Sequence, residues 1–305
     1  VLGDVTAEAK ADIPHIDKNI TEVDGAAVGT PGVSHKHDDA AIGDTVQFTL
    51  SSNVPAMDGY DKYYFVIKDT LSKGLTYVDA SVGVKIGETT LTPNDDYSVE
   101  YTPAPVGGGN STLVIVLKNF IQYKDRQNAA IEVTYEATVN EYAVIGNAGN
   151  PNTVKLEYSN DPNFDYEGDD KPNPGEPTGI TPEEITYTYV TGLEIIKTDD
   201  GEPAKRLEGA TFELTGTALN TVLVYRDVFT EDSNGTYYKL NDGTYTTEAP
   251  NGQPDHDAGY ADTTTKYSVE REHTTITKAT PVKYEAQVDS QGVLRFDGLK
   301  AGTYT

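Results

Sequence analysis

Apolar and polar residues alternate with a period of two through most of this chain, and few stretches carry the three-to-four spacing of a helix. In "DTVQFTL", Val46, Phe48 and Leu50 share one face, and Gln47 and Thr49 share the other. "IEVTYEATV" sets Ile131, Val133, Tyr135 and Ala137 against Glu132, Thr134, Glu136 and Thr138. "TVKLEY" repeats the pattern with Val154, Leu156 and Tyr158. "STLVIVL", residues 111–117, is instead a continuous apolar run, as expected of a strand covered on both faces. Turn clusters such as "SSNVPAMDG", "TPNDD", "PAPVGGGN" and "GNAGNPN" fall between these segments. Many short strands with regular turn punctuation predict an all-β chain built of β-sandwiches.

The clearest break is "SNDPNFDYEGDDKPNPGEPTGITPEE", residues 159–184, rich in Pro, Gly and Asp and poor in residues to bury. It reads as a long connection before a last strand, in which Ile185, Tyr187 and Tyr189 alternate. A second domain then begins near Val190 without a flexible linker, giving expected domains of 1–189 and 190–305. The second contains "GATFELTG", a long polar stretch from about Gly216 to Val282, and a closing "GVLRFDGLKAGTYT".

Composition narrows the function classes. The 305 residues include 49 Asp and Glu against 23 Lys and Arg, a net charge of −26. A surface that acidic repels nucleic acid and anionic lipid. With no cysteine there are no disulfides, thiolate metal sites or cysteine nucleophiles. Tyr is abundant at 21 while Trp is absent, which weakens a reading as a sugar-stacking carbohydrate module. No run long and apolar enough to span a membrane occurs, and no signal peptide is visible. The polar start "VLGDVTAEAK" reads as a mature piece of something longer.

Against this background three polar residues share parity with apolar neighbours. Lys18 alternates with Ile16 and Ile20, Asp69 with Phe65, Ile67 and Leu71, and Asn152 with Val154, Leu156 and Tyr158. A position at a strand end, facing water, is an equally good account of each alone. Together they permit a specific chemistry. Burial disfavours the charged form, so a buried lysine tends to a neutral, nucleophilic amine. A carboxylic acid in the same pocket stays protonated and can polarise the Asn carbonyl. Attack of the amine on the Asn side chain, with loss of ammonia, gives a Lys–Asn amide, and folding supplies the proximity. Glu136 and Asn160 are alternative partners, though Glu136 has the opposite parity and Asn160 borders the Pro-rich connection.

"PHIDKNI", "IKDTLSKGLTY" and "GNPNTVKLEYSNDPN" resemble the fimbrial isopeptide-formation domain of Gram-positive pilins, a collagen-adhesin A-like variant of the Ig sandwich. The resemblance covers residues 12 to about 190. It implies tandem Ig-like β-sandwiches, a Lys18–Asn152 isopeptide cross-link and Asp69 as its catalytic acid/base. "VTGLEIIKTDDGEPAKRLEGATFELTG", with Lys197, Gly209, Ala210, Phe212 and Leu214, is similar to the B-type domain of the same adhesins and pilins. Leu193, Ile195 and Lys197 share parity, so Lys197 repeats the Lys18 pattern as a second cross-link lysine. In that family the acid and the Asn lie beyond the "GLKAGTY" strand, so the expectation is a C-terminally truncated domain. Lys10 stands where shaft pilins carry the lysine that sortase joins to the next subunit, but Glu8-Ala9 replaces the usual Tyr-Pro, and an ordinary solvated lysine fits equally.

Other motifs carry less. His35, His37, Asp38 and Asp39 lie in a polar loop with no further ligand cluster. "DPNFDYEGDD" begins like a calcium loop but has Tyr166 where glycine is required and Pro172 where the closing Glu belongs. No metal, cofactor or conventional enzyme activity is expected, only one autocatalytic turnover. The resemblance implies a cell-surface pilus subunit, extracellular and cell-wall-anchored, polymerised with other pilin subunits by sortase. The alternative is a surface adhesin that binds a host protein or glycan through the second-domain insert. By loop entropy a Lys18–Asn152 bond stabilises by roughly 4–5 kcal/mol, and it routes tension around the strands.

Overall fold

The computed structural model describes residues 13–30, 32–105, 108–202, 204–216, 221–277 and 283–305. Two compact units result: one takes residues up to 38, 44–144 and 149–188, the other 39–43, 145–148 and 189–305. The first unit is an Ig-like sandwich of two sheets. Its early strands are β1 (Asp17–Val23), β2 (Ala26–Ala27), β3 (His37–Asp39), β4 (Thr45–Asn53), β5 (Phe65–Leu71), β6 (Leu75–Tyr77) and β7 (Gly83–Ile86). The later ones are β8 (Thr89–Thr90), β9 (Tyr97–Thr102), β10 (Ser111–Leu117), β11 (Ala130–Val139), β12 (Asn150–Ser159), β13 (Thr178–Ile180) and β14 (Glu184–Tyr189). One sheet runs β2-β1-β4-β11-β7-β8, with β6 also on β11; the other runs β3-β14-β12-β5-β10-β9, with β13 on β12.

Period-two alternation becomes burial directly. In β4, Val46, Phe48 and Leu50 are buried while their neighbours are half-exposed, and β11 and β12 behave likewise. The continuous run of β10 has a physical cause on the outer face of its sheet. Val66 and Val116, cross-strand partners, are covered there by Tyr64 and Tyr166. Tyr166 belongs to the Pro- and Asp-rich connection, which therefore does bury something. Its hydroxyl donates to Pro177 O at 2.8 Å and accepts from the amides of Asn160 and Asp161. The Glu176 carboxylate caps the amides of Glu167, Gly168 and Asn173, tying the excursion to itself. Alternation gave no sign of the one 3₁₀ helix among the described residues, Phe120–Arg126, whose Phe120 stacks on Phe65 at 4.5 Å.

The second unit contains β15 (Thr191–Ile196), β16 (Thr211–Thr215), β17 (Thr221–Glu231), β18 (Tyr238–Lys239), β19 (Tyr245–Thr246), β20 (Tyr267–Thr277), β21 (Lys283–Gln287) and β22 (Val293–Leu299). A four-stranded sheet runs β15-β22-β17-β20, and β16 pairs with β21. Leu214, Val222, Tyr284, Leu294 and Phe296 form its core. Among the described residues no helix is long and apolar enough to cross a membrane.

Candidate functional site

Lys18 sits on β1 beside Leu50 of β4, and one step along, Ile20, Phe48 and Tyr135 align across β1, β4 and β11. Both rows point into the sandwich. From the facing sheet, Asp69 on β5 lies beside Val154 of β12, and Asn152 lies beside Leu71. Parity thus puts one lysine on one inner face and an acid and an amide on the other. Lys18, Asn152 and Asp69 are buried, the first two fully. Such burial is rare for lysine without a partner.

The partners are local and few. Lys18 Nζ donates to Asp69 Oδ2 and, at 2.7 Å, to the Tyr135 hydroxyl. The Asn152 amide Nδ2 donates to the same Tyr135 oxygen, also at 2.7 Å. Two contacts of that length to one atom keep the two nitrogens within twice that distance. The amine also lies over the Phe48 ring, 5.0 Å from its centroid, and Phe48 in turn stacks on Tyr135 at 5.3 Å. Asp69 Oδ1 and Asn152 Oδ1 are buried without a hydrogen-bond partner. Among the described residues no hydrogen bond joins Asp69 to Asn152; Asp69 is held by Lys18 Nζ, and Asn152 by the Tyr135 hydroxyl that Lys18 also contacts.

Desolvation sets the electrostatics. Burial pulls the Lys18 amine down to about 8, against the opposing pull of the Asp69 charge and hydrogen bond. The same burial raises Asp69, opposed by Lys18. Tyr135 is pushed well above its usual range by burial and by the neighbouring carboxyl. All three drift toward neutrality, since a low-dielectric interior penalises each charge separately. A neutral amine is a nucleophile, and a neutral carboxyl can give and take a proton.

Supporting residues fix the backbone. Lys36 Nζ donates to the Lys18 carbonyl at 2.6 Å and pairs with Asp17 and Glu184, so it pins β1 at Lys18. Gly74 approaches so closely that a Cβ there would lie 2.2 Å from Asn150 Oδ1. Asn150 in turn bonds Val144 and the Thr188 carbonyl, which anchors the start of β12 two residues before Asn152.

Of the other sequence candidates, Asn160 is exposed and Glu136 only half-buried. Lys197 does not reproduce the environment of Lys18. It is half-buried, and its Nζ donates to Thr198 O at 3.1 Å. Lys10 lies outside the described residues. His35 pairs with Asp38, His37 stacks on Tyr187, and no group of metal-ligating side chains occurs among the described residues. Tyr135 is the polar contact of Lys18 and Asn152 that sequence parity did not single out. Its inward position was legible, but a tyrosine among Ile131, Val133 and Ala137 reads as ordinary core.

The first unit is thus an Ig-like β-sandwich with a lysine, an acid and an asparagine buried between its sheets. Residues 42–162, which hold Asp69, Tyr135 and Asn152, match the family model of the Gram-positive pilin backbone subunit 2, Cna-B-like domain. Sequence resemblance pointed to the A-like sandwich over this stretch, and the matching family is described as B-like. The chain is 27% identical over 237 residues to the trypsin-resistant surface T6 protein of Streptococcus pyogenes serotype M6, covering 75% of this chain and 41% of that protein. It therefore spans about two-fifths of that relative. Among solved structures, full-length RrgB pilus protein of Streptococcus pneumoniae aligns with a TM-score of 0.50 at 14% identity, over 96% of this chain and 64% of that one. A 35 kDa C-terminal fragment of the major pilin GBS80 of Streptococcus agalactiae aligns at 0.47 and 21% identity, over 95% and 87%. Residues 42–162 are thus similar to a Gram-positive pilin backbone domain.

Proposed function

We propose that this chain is part of a structural subunit of a Gram-positive pilus shaft, and that its first unit is locked by an autocatalytic isopeptide bond between Lys18 and Asn152, with Asp69 as acid/base. The observation that carries this is the sealed set itself: an amine whose burial favours the neutral form, an acid on it, and an amide on the same hydroxyl. Ion pairs kept for stability alone are a poor explanation, because burying one rarely outweighs its desolvation. Consumption of the amine removes that cost, since an amide carries no charge. The subunit works extracellularly on the cell surface, joined to other copies through Lys10 by sortase and anchored to the cell wall.

Intact mass under denaturing conditions tests the bond. A mass one ammonia below the sequence mass supports it, and Lys18→Ala, Asp69→Ala and Asn152→Ala should each restore the full mass. A wild-type mass equal to that of the sequence overturns it. For assembly, a ladder of polymers made with sortase in cells should vanish in Lys10→Ala and survive in Lys197→Ala.

A further inference from the structure

Among the described residues no hydrogen bond joins the Asp69 carboxyl to the Asn152 amide nitrogen, the leaving group. Asp69 Oδ2 contacts Lys18 Nζ, yet among the described residues the Asn152 side chain has a single hydrogen-bond partner, the Tyr135 hydroxyl. Among these residues that oxygen is the one hydrogen-bonded link between the amine and the amide nitrogen, so it offers a proton a direct path from one to the other. We infer that Tyr135 is a catalytic residue of the cross-linking reaction, relaying the proton that turns the Asn152 amide nitrogen into ammonia. This rests on the reading that Lys18 and Asn152 become joined.

The balance is closed. Neutral Lys18 Nζ attacks Asn152 Cγ, a C–N bond forms, and the carbonyl electron pair moves to Oδ1. The new ammonium nitrogen must lose one proton and Nδ2 must gain one. In the tetrahedral intermediate Nδ2 loses its amide conjugation, becomes basic and turns from donor to acceptor; the hydroxyl then gives it its proton while Nζ returns one to the tyrosine oxygen, directly or through Asp69. The electron pair returns from Oδ1, the C–Nδ2 bond breaks, and ammonia leaves. Tyr135 and Asp69 end unchanged, and no outside reagent is needed.

A hydroxyl offers one donor and two acceptor sites, which suits these contacts. The two nitrogens occupy the acceptor side, and the carboxyl of Asp69 is also within the tyrosine's hydrogen-bonding reach. Position on the stiff central strand β11, stacked on Phe48, holds the oxygen in place. Rigid placement of a proton-transfer group is worth typically 10²–10⁴-fold in rate.

The test follows ammonia loss over time by mass spectrometry after a synthesis pulse in a cell-free system. Wild type is compared with Tyr135→Phe, Lys18→Ala and a chain carrying 3-fluorotyrosine at position 135. Tyr135→Phe should fold by circular dichroism yet cross-link at least ~100-fold more slowly. The fluorinated phenol keeps the shape and is more acidic, so a relay should change rate several-fold near pH 6. A merely structural tyrosine would leave it unmoved. Phe at 135 reacting within about threefold of wild type overturns the inference. An unchanged rate with fluorotyrosine does so too, and that arm stands even if the Phe variant fails to fold. Wild type that never loses ammonia sinks the cross-link itself, and Lys18→Ala that still loses it moves the bond elsewhere.

Discussion

Replacing Lys18 by Met and Asn152 by Ala, singly and together, separates a covalent tie from an ordinary buried contact. Met fills nearly the same volume as the lysine it replaces and leaves the rest of the pocket in place. Closing the loop between residues 18 and 152 stabilises by about 5 kcal/mol on the loop-entropy scale. Each single substitution loses that whole contribution, but the double substitution loses it only once. The summed effects of the singles should then exceed the effect of the double by about 5 kcal/mol, whereas side chains merely in contact couple by about 0.5–3 kcal/mol. Guanidinium unfolding of the first unit measures this. The cross-linked chain should also show the smaller denaturant slope, because its unfolded state exposes less surface. At about 2–4 °C per kcal/mol for a domain of this size, each single variant should melt at least roughly 10–20 °C lower. Additivity within about 1 kcal/mol would refute the covalent account, whatever the individual losses.

The pulse-synthesis assay should show a cross-linking rate that climbs as pH rises toward about 8, where burial places the Lys18 amine, and levels off above it. A flat profile from pH 6 to 9 would contradict a neutral-amine nucleophile. In uncross-linked Asn152→Ala, the folded lysine sits at about 8 and the unfolded one at its usual 10.5. The unfolded chain then binds more protons between these values, so stability rises with pH over about 8 to 9.5. That rise should disappear when Lys18→Met is added, as urea melts at the two pH values would show. Tyr166→Ala removes a buried ring and its hydroxyl bonds. It should cost about 3 kcal/mol and make residues 160–177 sensitive to limited proteolysis. Gly74→Ala should cost about 1–3 kcal/mol by thermal melting, since its methyl meets the Asn150 side chain.

Strand positions and inward faces of the first unit were legible because side chains alternate sides of a pleated strand, and burial follows that alternation at Lys18, Asp69 and Asn152. What alternation cannot supply is distance across the sandwich. It puts Lys18 and Tyr135 inward on one sheet and Asn152 inward on the other, but leaves open which residues stand opposite. Tyr135 went unnoticed for this reason. The connection at 159–184 has little to bury, as its composition implies, but its Tyr166 is an exception that composition does not mark, because its place depends on the outer face of a sheet far away in sequence. At Lys197 the parity repeats, but β15 stands with Leu193 and Ile196 exposed, so an apolar pattern there does not mark a covered face.

With the proposed bond, the sealed pocket between β1 and β12 would also give the molecule a memory. Lys18 and Asn152 are 134 positions apart and meet only once both sheets have closed over them, and the proposed step releases a gas-forming small molecule that does not return. A chain that has folded even once would stay lighter by that molecule after any later unfolding. The mass of a denatured, extracted subunit then reports its history and not merely its present state, so never-folded chains in a cell could be counted against those that reached the native sandwich.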